Sequence, residues 1–152
     1  MKTSVKIFSF FFTVAVLVAC SSAESEQLKQ ARTIQETMIK SKGNLDSLVD
    51  LKMNELSAKV TEMSADSTLA TDSLKAATYG SVKTQLSDIE MLKSKLTDWM
   101  SSVKMLPSLE DMAKGAENPF GDGAKDQDIL KSIQDNQKQF EELKSEIETA
   151  IQ

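Results

Sequence analysis

Apolar side chains recur along this 152-residue chain in three long runs, at steps of mostly three or four residues. The first run spans about Glu26 to Met63. It reads Leu28, Ala31, Ile34, Met38, Leu45, Val49, Met53, Leu56, Val60 and Met63. Such steps place one stripe along one face of an α-helix. Lys42-Gly43-Asn44 interrupts the run, and a glycine inside a helix costs about 1 kcal/mol against alanine. The stripe resumes in phase, so one long helix is expected, with a break or kink at Gly43 as the alternative. Ser64 to Thr68 reads as a turn, with Asp66 or Ser67 available as the next N-cap.

The second run spans about Leu69 to Met105. Its stripe is Leu74, Ala77, Val82, Leu86, Ile89, Leu92, Leu96, then Trp99 or Met100, and Val103. Pro107 ends it. At 1.5 Å per residue each of these helices reaches roughly 55 Å. Joined by so short a turn, they are expected to lie antiparallel as a hairpin. Ser108 followed by Asp111 resembles a capping box and predicts a short helix to about Lys114. Gly115 to Lys125 holds three of the five glycines and one of the two prolines, so it reads as a loop. Asp126 is the expected cap of a third helix, from about Gln127 to Ile151. Its stripe is Ile129, Ile133, Asn136, Phe140, Leu143, Ile147 and Ala150, in alternating steps of four and three. That is the spacing of a bundle or coiled-coil seam.

Narrow apolar stripes must bury against one another. The expected fold is therefore all-α: an elongated antiparallel helical hairpin plus a third helix, a three-helix bundle with coiled-coil-like packing. Residues 27–152 make one domain. Scarce Gly and Pro and few aromatics agree with helix and give little β signal.

The first nineteen residues differ from the rest. Lys2 and Lys6 precede an apolar stretch from Ile7 to Ala19 that carries no charge. A charged start, a short apolar run and a small residue describe a secretory signal peptide. The stretch is short of the ~20 apolar residues of a spanning helix. It ends in Leu17-Val18-Ala19-Cys20, which resembles the bacterial lipobox. That resemblance implies lipid on Cys20, cleavage between Ala19 and Cys20, and usually acylation of the new amine. One acyl chain binds a membrane marginally, and two or more bind it durably. The alternative is an ordinary Cys in an uncleaved anchor or an ordinary signal peptide. Cys20 is the only cysteine and there is no histidine. An intrachain disulfide is therefore excluded, and no imidazole is present to activate a thiol. Residues 20–26 form the lipidated Cys and a small, polar tether.

Without residues 1–19, sixteen cations stand against 23 acids, a net side-chain charge of −7. Nucleic acid and charge-driven binding to anionic lipid are disfavoured, since both need a basic patch. Attachment falls to the lipid.

Little remains as candidate chemistry. Asp122, Asp126 and Asp128 sit near Gly121 and Gly123, but an EF-hand register would place Phe120 and Ile129 at ligand positions, where neither side chain can ligate calcium. Seven methionines follow Met1. Several fall on the stripes and read as adaptable core filling, with a groove for a partner helix as the functional variant. Trp99, beside Met100, either closes the end of the bundle or stands exposed as an anchor for a partner. Asn136 either fixes register within the seam or marks its loose end. Glu55/Lys59 and Glu110/Lys114 are surface pairs worth ~0.2–0.5 kcal/mol each. With no His, no phosphate loop and no triad, the expectation is a non-enzyme without cofactor or metal.

Ile34-Gln35-Glu36 through Gly43, and Leu92-Lys93 through Asp98-Trp99-Met100, resemble a group of small helical lipoproteins of Bacteroidota. Some of these carry the label viral A-type inclusion protein. The likeness covers the signal, the first two helices and the Asp98-Trp99-Met100 tail. It implies an envelope location and a helical hairpin, and no settled activity. That group has a His where this chain has Gln35, so any role of that His is absent. Lipoprotein sorting adds a location. Ser21, in place of an Asp, points to the outer membrane. Glu24 and Glu26, separated by Ser25, form a weak version of the acidic surface-export signal, so the periplasmic face is favoured over the cell surface.

The expected function is a membrane-anchored structural or interaction protein of the cell envelope that offers a helix face to a protein partner. The alternative is a helical module that holds an apolar ligand or lipid between Met-rich helices.

Overall fold

Four helices run through the computed structural model, which describes residues 24–152. They are α1 (Glu26–Ser64), α2 (Ser73–Ser102), α3 (Leu109–Ala113) and α4 (Asp126–Ala150). Among the described residues there is no strand. The all-α expectation holds, and α3 is the short helix read from its capping box.

Ser25 starts α1: its hydroxyl accepts the Leu28 N–H at 3.2 Å. The last two residues of the expected tether thus belong to the helix start. From there α1 runs 39 residues without a break, through Gly43, about 58 Å at the standard rise. Ala31, Met38, Leu45, Val49 and Leu56 form its buried stripe.

The turn into α2 differs from its expected form. Asp66 accepts hydrogen bonds from the Thr68 N–H at 2.8 Å and the Thr68 hydroxyl at 2.7 Å, so it caps the turn and not the helix. The N-cap is Asp72, whose carboxylate accepts from the N–H groups of Leu74 and Lys75. It satisfies two of the orphan donors at a helix start, and α2 therefore begins at Ser73, four residues later than expected.

The far end of α2 also falls short. The helix stops at Ser102, and residues 103–107 continue without helix. Leu106 turns into the core at 4% exposure. Its backbone leaves the helix because another partner takes its hydrogen bonds, as described below.

α2 runs antiparallel to α1, with Lys93 on Asp50 at 2.6 Å. α4 runs antiparallel to α2, with Lys95 on Glu146 at 3.4 Å and the Trp99 and Phe140 rings 5.1 Å apart. α4 is therefore parallel to α1. With 25 residues it is also shorter than α1. It covers the end of the hairpin that holds the N-terminus of α1 and stops level with Ile89. No residue of α2 before Ile89 is buried. The molecule is thus a three-helix base with a two-helix tip.

α4 keeps its expected stripe, with Ile129, Ile133, Phe140 and Ile147 buried. Its cap is a correction. Lys125 occupies the N-cap without a side-chain bond, and Asp126 lies inside the first turn with Asp128. There the acids face the positive end of the helix dipole. The segment between α3 and α4 closes the base. Gly115, at φ +90°, ends α3, letting the Ala116 N–H reach the Asp111 carbonyl at 2.9 Å; a side chain is strained in that conformation. Phe120 and Ala124 then pack against the core.

Candidate functional site

Ala19 and Cys20, the expected cleavage and lipidation residues, lie outside the described residues. Trp99 and Met100, the candidates for partner contact, lie within them. Trp99 is buried at 9% exposure, its ring tilted 33° against Phe140. It closes the core and does not stand out as an anchor, because its stripe meets α4 at that height. Met100 is half-buried and packs against the same core. Trp99 Nε1 is buried without a hydrogen-bond partner, an omission that costs about 1–3 kcal/mol. Asn136 is half-buried one turn from Phe140.

The exposed large apolar side chains are elsewhere. Ile39, Leu48 and Leu51 lie on α1, the last two one turn apart, Leu74 and Met91 lie on α2, and Leu109 and Met112 lie on α3.

A polar arrangement at the base draws together three separate parts of the chain. Gln35, on α1, presents its amide edge to the backbone of Leu106. Its Nε2 donates to the Leu106 carbonyl at 2.9 Å, and its Oε1 accepts the Leu106 N–H at 2.7 Å. A primary amide offers donor and acceptor side by side, as a neighbouring strand would. That pairing lets the chain leave α2 at Ser102 and bury Leu106 without orphaning its backbone. Three residues earlier on α1, Arg32 fans its guanidinium over three acceptors. Nε pairs with Glu24 at 2.5 Å, one terminal nitrogen donates to the Pro107 carbonyl, and the other reaches Met112 Sδ at 3.0 Å. The Arg32 and Glu24 side chains are 13% and 17% exposed, so this pair is largely shielded from solvent. Arg32 thus fastens the start of the chain and the α2–α3 connection to α1.

The apolar spacing gives no sign of this fastening, because all of its contacts but Arg32–Glu24, eight positions apart, join residues 71 to 80 positions apart. One signal existed. Arg32 is the only arginine among 18 basic residues, and a guanidinium makes several directed bonds where an ammonium is a point charge.

Shifted protonation equilibria lie along the exposed hairpin. Lys75, hydrogen-bonded to Asp66 at 2.6 Å, and then Thr68 hold the Asp66 carboxyl well below the usual carboxylate range. Lys75 is raised in turn, chiefly by Asp66. The hydrogen bond to Asp50 raises Lys93, and hydrogen bonds from Lys59 and then Lys52 lower Glu55. These are solvated ion pairs that favour the charged forms, not groups poised for proton transfer. Among the described residues no three His, Cys, Asp or Glu side chains gather as a metal site.

No protein-family model, no curated protein and no solved structure matches the chain.

Proposed function

We propose that the protein is a bacterial lipoprotein of the outer membrane, held by lipid on Cys20, whose helical bundle acts as a structural or interaction protein of the envelope and not as an enzyme. The observation that carries the reading is Leu17-Val18-Ala19-Cys20 at the end of a charged, then apolar, N-terminus. Among the described residues no helix is long and apolar enough to cross a membrane, so in this reading the lipid is the anchor. Leu48 and Leu51, 48% and 67% exposed on one turn of α1, supply a helix face for a protein partner. The domain faces the periplasm.

Labelled palmitate fed to producing cells should enter the wild-type protein and not Cys20→Ala, which should remain uncleaved. Label in Cys20→Ala would end the lipid reading. A photo-crosslinking residue placed at Leu51 should give one discrete adduct in cells, and its absence there and at Leu48 removes the partner face. Digestion of the domain by protease added to intact cells, with a periplasmic control spared, would move it to the cell surface.

A further inference from the structure

Which end of the bundle meets the membrane follows from how its first residues are held. Only residues 21–23 separate Cys20 from Glu24. Four extended residue steps reach at most ~14 Å. Glu24 is not free to swing, because Arg32 holds its carboxylate at 2.5 Å. The same guanidinium holds Met112 Sδ at 3.0 Å. Met112 therefore lies within one guanidinium of the point where the tether joins the bundle. Met112 is 41% exposed, and Leu109, one turn earlier on α3, is 59% exposed.

Resting on the lipid-anchor reading above, we infer that Leu109 and Met112 form a membrane-docking face, seated in the bilayer surface that holds the lipid of Cys20. The tip then points away from the membrane. Nearness to the tether ranks the exposed apolar groups: Met112 touches Arg32, while Ile39, Leu48 and Leu51 lie further along α1 and Leu74 and Met91 lie on α2. Leu48 and Leu51 lie ~33 Å or more along α1 from its start, and Leu74 lies at the far end. With Glu24 on Arg32 and a tether of at most ~14 Å, an upright bundle brings the α3 pair to the headgroups, and these more distant groups reach them only where the bundle lies on its side. Apolar side chains at an interface enter the outer ~5–10 Å of the bilayer, a depth within reach of side chains on α3. Glu110 and Asp111 flank the face, so the fitting surface is zwitterionic and not anionic.

The test uses the full lipidated protein in vesicles of phosphatidylcholine and phosphatidylethanolamine, part of the lipid bearing a shallow nitroxide quencher. With Cys20 blocked by lipid, a cysteine introduced by Leu109→Cys, Leu51→Cys or Leu74→Cys is the sole free thiol for a fluorophore. Quenching at position 109 is expected to exceed that at 51 and 74 several-fold. Equal quenching at all three, stronger quenching at 51 or 74, or none at 109 overturns the docking face. Mass spectrometry of the same samples separates the two readings. Lipidated protein that floats with vesicles but is unquenched at 109 sinks the docking alone. Protein without lipid on Cys20 sinks the anchor, and the docking with it.

Discussion

The base and the tip of this molecule are built from the same two helices, with stripes of the same spacing, yet they bury them differently. In the base, Leu45, Val49, Leu92 and Leu96 are all enclosed. At the tip, Val60, Met63 and Val82 are only half-buried, and Leu74 is 75% exposed. The difference is α4. Two helices shield one seam from one side each, while a third closes the remaining side. The tip relies instead on a polar turn, in which Asp66, Thr68, Asp72 and Lys75 satisfy one another and the start of α2. A stripe of given spacing specifies that a face is to be covered, and the length of the covering helix decides how well.

The sharpest way to break this contrast is to cut one side chain from each region. Phe140→Ala removes a fully buried ring that packs on Trp99, and should cost about 3–5 kcal/mol. Leu74→Ala at the tip should change stability by less than about 0.5 kcal/mol. Urea unfolding of residues 21–152 measures both. Equal losses would show that the tip is as well packed as the base.

A smaller loss is expected where the base is fastened by polar groups. Gln35→Ala leaves the Leu106 N–H and carbonyl without their partner, at about 1–3 kcal/mol. Hydrogen exchange should show faster opening of residues 103–107 with the tip unaffected. Uniform loosening of the whole chain would mean that the clamp is not local.

A gain is expected from the helix interiors. Gly43 and Gly80 each have open space where a Cβ would stand. Gly43→Ala and Gly80→Ala should each raise stability by about 0.5–1 kcal/mol, read as an increase in the urea midpoint. A loss at Gly43 would reveal a required bend in α1.

The smallest effect concerns the tip and pH. The Asp66 pKa is lowered in the fold, so its ionised form is the one stabilised. That contribution is fully present above the unfolded carboxylate pKa, near ~4, and is lost as pH falls through the lowered folded value. Asp66→Asn should therefore melt slightly below wild type at pH 6, and the gap should close towards pH 2. Exposure to solvent keeps the effect small. A gap that widens in acid would contradict the ion pair.

Much of the architecture was legible in the apolar spacing. The α1 stripe, the hairpin, the short capped α3 and the α4 seam all follow from steps of three and four. The exposure of Leu74 and Ala77 did not, since a stripe carries no record of how far its neighbour extends. The start of α2 was misread because Asp66, Ser67 and Asp72 are all competent caps, and Lys75 and Thr68 engage the first of them. The end of α2 was misread because Pro107 sets only the latest point at which the helix can stop, while Gln35 sets the actual one. The spacing left Trp99 open between core and partner anchor, because Trp99 and Met100 fit the stripe equally and only the height of α4 decides which is covered. The Arg32 and Gln35 fastening was not legible, because its partners other than Glu24 are distant in sequence and two of them are backbone carbonyls, which no side-chain pattern reveals.

The polar contacts of the hairpin also lay out an order in time. From tip to base, the sequence separation of the paired residues grows from 9 for Asp66 and Lys75, to 43 for Asp50 and Lys93, to 71 for Gln35 and Leu106. Closing a loop costs more entropy as it lengthens, and each contact made shortens the loop left for the next. Such a ladder zips from its smallest rung, so the region with the least buried surface is the natural nucleus of the hairpin. Asp72→Ala, which removes the α2 cap, should accordingly slow folding, with a φ-value near 1. Gln35→Ala should mainly speed unfolding, with a φ-value near 0. The reverse pattern would place the first contacts in the three-helix base.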